Sequence, residues 1–154
     1  MVAELQDMLL VLNLARNDDR VQQEQISVAG KSFGSIVAWR VFREEPGLKS
    51  CVLLTPLCMA DKSGEDELNL VRENYPDAGH ENRPVLMLAG NADPHCELEI
   101  LRQFVVNTSA KFNINVLDGN HNLEMPDADA AMAASKFDRN LQLLASHVER
   151  FLLG

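Results

Sequence analysis

The sequence predicts an α/β protein built on a mostly parallel sheet of about four strands, with helices on both faces. Three observations lead there. The runs over residues 50–56 and 84–90 are almost wholly apolar, as strands covered on both faces of a parallel sheet must be. Segments with apolar residues at helical spacing separate the strand-like runs. Connections of that length are what parallel strands need, because the chain must return across the sheet before it can pair again.

Taken in order, Leu5, Met8, Leu9 and Leu12 repeat at helical spacing, and Asn17-Asp18-Asp19 stops that helix. Residues 25–29 read as a short extended segment and residues 35–42 as a mostly apolar helix. Glu44-Glu45-Pro46-Gly47 then turns the chain into the second strand, over 50–56. The polar segment 57–83 carries two acidic clusters. It reads either as a solvated connection or as a lid, with a short helix over 67–73. After the third strand, Leu98, Leu101, Phe104 and Val105 share one face of a helix over 97–106, and residues 112–117 alternate as a half-buried strand. A final helix places Phe137, Leu141, Leu144, Val148 and Phe151 on one stripe that should pack on the sheet. No repeat, low-complexity tract or interdomain linker interrupts the chain, so residues 1–154 read as one domain.

Gly30-Lys31-Ser32-Phe33-Gly34 is a complete G-x-S-x-G pentapeptide between strand-like and helix-like runs, the context of a nucleophile elbow. Both Gly30 and Gly34 are expected where a side chain would collide with the neighbouring strand or helix, and the Ser32 backbone is expected to be strained. The same letters end like a phosphate-binding loop. That reading fails at its first glycine, where this chain has Gln25, and residues 26–29 look like strand rather than loop.

Asn91-Ala92-Asp93-Pro94 follows the third strand, and Asp118-Gly119-Asn120-His121 follows the fourth. Serine, acid and histidine therefore each stand just past the C-terminal end of a strand, where open α/β sheets bind their ligands. A serine hydroxyl is a poor nucleophile until an imidazole accepts its proton, and the imidazole needs a carboxylate to fix its tautomer. Ser32, His121 and Asp93 would fill those roles, with Asp118 competing as the acid. His95 and Cys96 adjoin Asp93 without metal-ligand spacing, and His80 and His147 add no partner, so neither a metal site nor a cofactor is expected.

The order nucleophile, acid, histidine is that of the α/β-hydrolases. The elbow, the turn Gly90-Asn91-Ala92-Asp93-Pro94 and the turn Asp118-Gly119-Asn120-His121 resemble the small dienelactone-hydrolase-like proteins, from about Leu5 to the C-terminus. The resemblance implies the C-terminal portion of an α/β-hydrolase fold, with Ser32 as nucleophile. It also implies an acid in the loop after the penultimate strand, which favours Asp93 over Asp118, and the amide of Phe33 as an oxyanion donor. Dienelactone hydrolases proper carry cysteine at the elbow. Ser32 therefore points to a serine hydrolase of a small carboxylic ester or thioester rather than to their substrate.

The elbow arrives at residue 32, whereas the resemblance implies several strands and a second oxyanion donor before it. The chain thus reads as N-terminally short, with the edge of its elbow strand left for a second copy in a homodimer, or for a partner chain, to cover. The alternative is a non-catalytic or truncated hydrolase-like protein that serves binding or assembly.

Of the 154 residues, 46% are hydrophobic and 24% charged, which suits a globular domain. The net charge of −9 argues against nucleic acid and anionic membrane surfaces as partners. Cys51, Cys58 and Cys96 are odd in number and have no framework spacing, so a reducing, cytoplasmic compartment is expected. The N-terminus lacks the basic and apolar regions of a signal peptide, and no apolar run is long enough to span a bilayer.

Overall fold

A computed structural model describes residues 1–58, 67–108, 111–125 and 129–154. Four parallel strands lie in sequence order, β1 (Val28–Ser32), β2 (Cys51–Pro56), β3 (Val85–Gly90) and β4 (Phe112–Leu117). They alternate with helices α1 (Val2–Arg16), α2 (Phe33–Glu44), α3 (Glu67–Asn74), α4 (Leu98–Val106) and α5 (Ala130–Leu153). The pairing runs Val28 to Cys51, Cys51 to Val85 and Val85 to Phe112, so the strand starts are aligned across the sheet. The sequential parallel sheet is the one expected from the sequence.

Period-two alternation in the strands divides the core. Cys51, Leu53, Val85, Met87, Ala89 and Phe112 point to the face covered by α1 to α4, whose largest cluster is built around Trp39, Phe42, Tyr75, Leu101 and Phe104. Val52, Leu86 and Leu88 point to the other face and meet Leu144, Val148, Phe151 and Leu152 of α5. Successive right-handed crossovers in one direction must lay their helices on the same face, and α5 crosses back to cover the opposite one. Trp39 is fully buried and its indole N–H donates to the Pro76 carbonyl at 2.9 Å, so the core anchor carries no unpaired polar group.

Two local expectations shift, and a third is met in part. The first strand does not run over 25–29: a 3-10 turn occupies Gln23–Gln25, and pairing starts at Val28, whose amide donates to Ser50 O. The C-terminal stripe holds at Leu144, Val148 and Phe151, but Leu141 is 43% exposed and the buried residue beside it is Asn140. The expected short helix before β3 is α3, while residues 59–66 of the suggested lid lie outside the described residues. No helix is long and apolar enough to cross a membrane, among the described residues.

Candidate active site

Each element that leads into the site ends abruptly. β1 runs to Ser32, which adopts φ 56° and ψ −126°, and α2 begins at the next residue. A left-handed φ at a non-glycine residue is a strained conformation, and here it turns the chain from strand to helix within a single residue. The turn closes so tightly that a Cβ at Gly30 would overlap the carbonyl of Gly34 and lie 2.8 Å from the Ser35 amide nitrogen. Gly34 differs from the expectation, because a Cβ there would meet nothing within 4 Å. The close approach is made by Gly34's backbone towards Gly30, so only one of the two glycines is demanded by space.

The elbow is propped from behind. Ser35 Oγ donates to the Ser32 carbonyl at 2.5 Å and lies 2.8 Å from the Tyr75 hydroxyl. Ser35 is fully buried, and burial pushes the Tyr75 phenol up from its ordinary value, so Tyr75 remains a neutral hydrogen-bonding group. No local pattern in the sequence marks this pair, because its members lie 40 residues apart.

Beyond β3, Asp93 is buried at the start of a turn in which its Oδ1 accepts from the His95 amide at 2.8 Å. Its Oδ2 lies 2.8 Å from His121 Nδ1, and His121 Nε2 lies 2.8 Å from Ser32 Oγ. An ionised carboxylate only accepts, so Nδ1 carries the ring hydrogen and Nε2 is left to accept from the serine hydroxyl. Asp118 is turned elsewhere: its Oδ1 accepts from Asn91 Nδ2 at 2.7 Å, while Asn91 Oδ1 accepts from the Gly119 amide at 3.0 Å. The geometry therefore puts Asp93, not Asp118, against the imidazole.

The loop bearing His121 is pinned by a residue that the sequence reading overlooked. Asn140 of α5 donates through Nδ2 to the carbonyls of Asp118 and Leu123, the latter at 2.8 Å, and is itself buried. The available signal was a polar residue in register with Phe137 and Leu144 on the apolar stripe. Lys31, inside the elbow, donates to Asn122 Oδ1 at 3.2 Å and ties the serine turn to the histidine turn. The His95 ring stands edge-on to the His121 ring at 4.8 Å. Phe33, whose amide begins α2, is 44% exposed.

The cysteines also depart from expectation. Cys58 and Cys96 form a disulfide, and only Cys51 is free. Their 38-residue separation conceals that both stand just past strand ends on the same side of the sheet. Cys51 is buried in the core, and desolvation pushes its thiol up, which suits an inert packing residue. Among the described residues, no group of three or more His, Cys, Asp or Glu is placed to hold a metal ion. His80 lies in a 3-10 turn at Ala78–His80, and His147 Nδ1 is 3.2 Å from Asn115 Nδ2.

Compared by sequence, the chain matches no family model and no curated protein. Compared by structure, it is similar to Est1E from Butyrivibrio proteoclasticus, solved with ferulic acid bound, at TM-score 0.65 and 19% identity over 97% of this chain and 66% of that one. It is similar to the esterase Pf2001 from Pyrococcus furiosus at TM-score 0.62 and 16% identity, over 99% of this chain and 63% of that one. An α/β serine hydrolase homologue from Coxiella burnetii gives TM-score 0.60 and 19% identity over 76% of this chain and 50% of that one. The chain has the α/β-hydrolase fold. It spans about half to two thirds of the length of these structures.

Proposed function

We propose that this chain carries a serine-hydrolase site for a small carboxylic ester or thioester, with Ser32 as nucleophile, His121 as general base and Asp93 as the group that orients it. The observation that carries this reading is the continuous hydrogen-bonded chain from Ser32 Oγ through His121 to Asp93, with both links at 2.8 Å, on a strained strand-to-helix turn.

In this scheme the Ser32 hydroxyl gives its proton to His121 Nε2 as Oγ attacks the substrate carbonyl. Asp93 holds Nδ1–H and stabilises the imidazolium that forms. The amide of Phe33 stabilises the developing oxyanion at the start of α2, where the first amides of a helix have no intrahelical partner. His121 then returns the proton to the leaving alcohol or thiol, and water attacks the acyl-serine with His121 again as base. The Phe33 amide is one such donor, and removing one donor from an oxyanion hole costs on the order of 100-fold to 1,000-fold in turnover.

The test is labelling by a fluorophosphonate probe, which reports an activated serine without knowledge of the substrate. Covalent modification of Ser32 that disappears in His121→Ala supports the reading; an unlabelled chain under conditions that label a known serine esterase defeats it.

A second reading, a hydrolase-like binding or assembly module, is favoured by one observation. Among the described residues β1 is an edge strand, and beside it α1 exposes Leu10, Val11 and Leu14. In either reading, we propose that a second copy of the chain covers this edge. The cytoplasm is a suitable compartment only for the thiol form of Cys58 and Cys96.

A further inference from the structure

The turn that presents Asp93 is fastened twice to the loop leaving β2. Cys58 stands just past the end of β2, and Cys96 stands in the turn that follows β3; the two are joined by a disulfide. The Cys58 amide also donates to the His95 carbonyl at 3.0 Å. Within the turn, the His95 amide donates to Asp93 Oδ1 at 2.8 Å, and the Cys96 amide donates to the Asp93 carbonyl at 3.3 Å. The two carboxylate oxygens of Asp93 are thus divided, one held by this turn and one meeting His121 Nδ1. Rotating the carboxylate away from the imidazole breaks the hydrogen bond from the His95 amide or moves the turn, and the turn is covalently tied to the loop leaving β2.

We propose that the Cys58–Cys96 disulfide is a positioning device for the Asp93 carboxylate: the oxidised chain holds Asp93 against His121, and reduction releases that hold. The inference rests on the serine-hydrolase reading above for its consequence in activity, though not for its consequence in structure. Reduction by dithiothreitol breaks the S–S bond and gives two thiols, which take two electrons and two protons as the reductant closes to its cyclic disulfide. Both cysteines are buried, at 0% and 1% exposure, so a reductant must wait for the turn to open. The link therefore acts as a lasting staple rather than a rapid switch. It also places the working form of the chain in an oxidising compartment.

The experiment uses the full chain, air-oxidised, and first maps its non-reduced peptides for the Cys58–Cys96 cross-link. Hydrogen exchange of the His95 amide and the rate of Ser32 labelling by a fluorophosphonate are then compared for four samples: the oxidised chain, the chain reduced with dithiothreitol, Cys58→Ala/Cys96→Ala and Cys51→Ala. Reduction should speed exchange at His95 and slow labelling by about tenfold to a hundredfold, the scale on which small misplacements of a reacting group are felt. For a short-chain aryl ester kcat should fall while KM holds.

The double variant should match the reduced chain and ignore dithiothreitol. Cys51→Ala, a core truncation, should lose stability without slowing the labelling. Free thiols at Cys58 and Cys96 in the oxidised chain, or exchange and labelling unchanged on reduction, would overturn the proposal. If the double variant does not fold, the reduced chain carries the comparison. If the oxidised chain is never labelled, the hydrolase reading fails, and exchange at His95 still decides whether the staple positions Asp93.

Discussion

The strain at Ser32 and the absence of a Cβ at Gly30 are two sides of one geometric requirement. With Ser32 at φ 56°, the turn brings the carbonyl of Gly34 into the space that a Gly30 side chain would take. Gly30→Ala is accordingly expected to destabilise the fold by about 2 kcal/mol or more, the scale of forced overpacking. Gly34→Ala sits in helix with open space around it, and should be neutral or stabilising by about 0.4–1 kcal/mol. Urea denaturation of the two variants checks the contrast; equal losses would mean that both glycines are sterically required. On the proposed mechanism, Ser32→Ala and His121→Ala should each take ester hydrolysis to near background, and since nucleophile and base would act as one unit the double variant should lose little more. Hydrolysis that persists in Ser32→Ala would identify another nucleophile. The meeting of Ser32, His121 and Asp93 was legible in the sequence because the elbow pentapeptide is local and the acid and histidine each follow a recognisable strand. Ser35, Tyr75 and Asn140 were not, since what makes them matter is a contact across the fold, 40 residues away for the first pair.

At the level of elements, the strands were read almost to the residue where burial dictates an apolar run, as in β2 and β3. β1 was displaced, because its residues are at most half-buried, and only on alternate positions, so its apolar signal is weak. The stripe of α5 was read one residue out: Asn140 takes the buried position that Leu141 was expected to fill, since two loop carbonyls need a donor there more than the core needs another leucine. Asn140→Ala should cost about 1–3 kcal/mol, the penalty for stranding buried partners, and should slow Ser32 labelling by loosening the His121 loop. Leu141→Ala, by contrast, should change stability little.

An ion-pair latch joins α2 to the segment before β3. Glu81 accepts from Arg83 Nη2 at 2.8 Å and from Arg43 Nη1 at 3.0 Å, while Arg83 also donates to the carbonyls of Phe42, Glu45 and Leu48. Burial pushes the Glu81 carboxyl up, but the bonds from Arg83 and Arg43 outweigh it and hold it at about 2, below its ordinary 4.5. A carboxyl lowered in the folded chain contributes stability above its unfolded value and loses it as pH falls towards the folded one. Unfolding free energy should therefore decline between pH 4.5 and about 2, and Glu81→Gln should be less stable at pH 7 while showing a shallower decline.

For the whole molecule, the telling feature is the contrast between the two sides of β1. One side pairs with β2; the other has no strand among the described residues. A groove of about 260 Å³ runs along that side, lined by Met8, Val11 and Leu12 of α1 and by Ile26, Val28 and Ala29. α1 turns Leu5, Met8, Leu9 and Leu12 towards the core, yet Leu10, Val11 and Leu14 are 60%, 63% and 64% exposed. A helix that is apolar on both sides is expected to be covered on both, and an open strand edge beside it is a template for pairing with another chain. Closed two-fold assembly is the commonest way in which identical chains meet such a need, since one patch then covers its own copy. Light scattering at micromolar concentration should therefore give a dimer mass, and Leu10→Glu/Leu14→Glu should convert it to a monomer that keeps its circular dichroism, because neither side chain is part of the buried core. A wild-type chain that is monomeric at that concentration would show that the edge needs no second copy, and a dimer that survives the double substitution would place the contact on another surface.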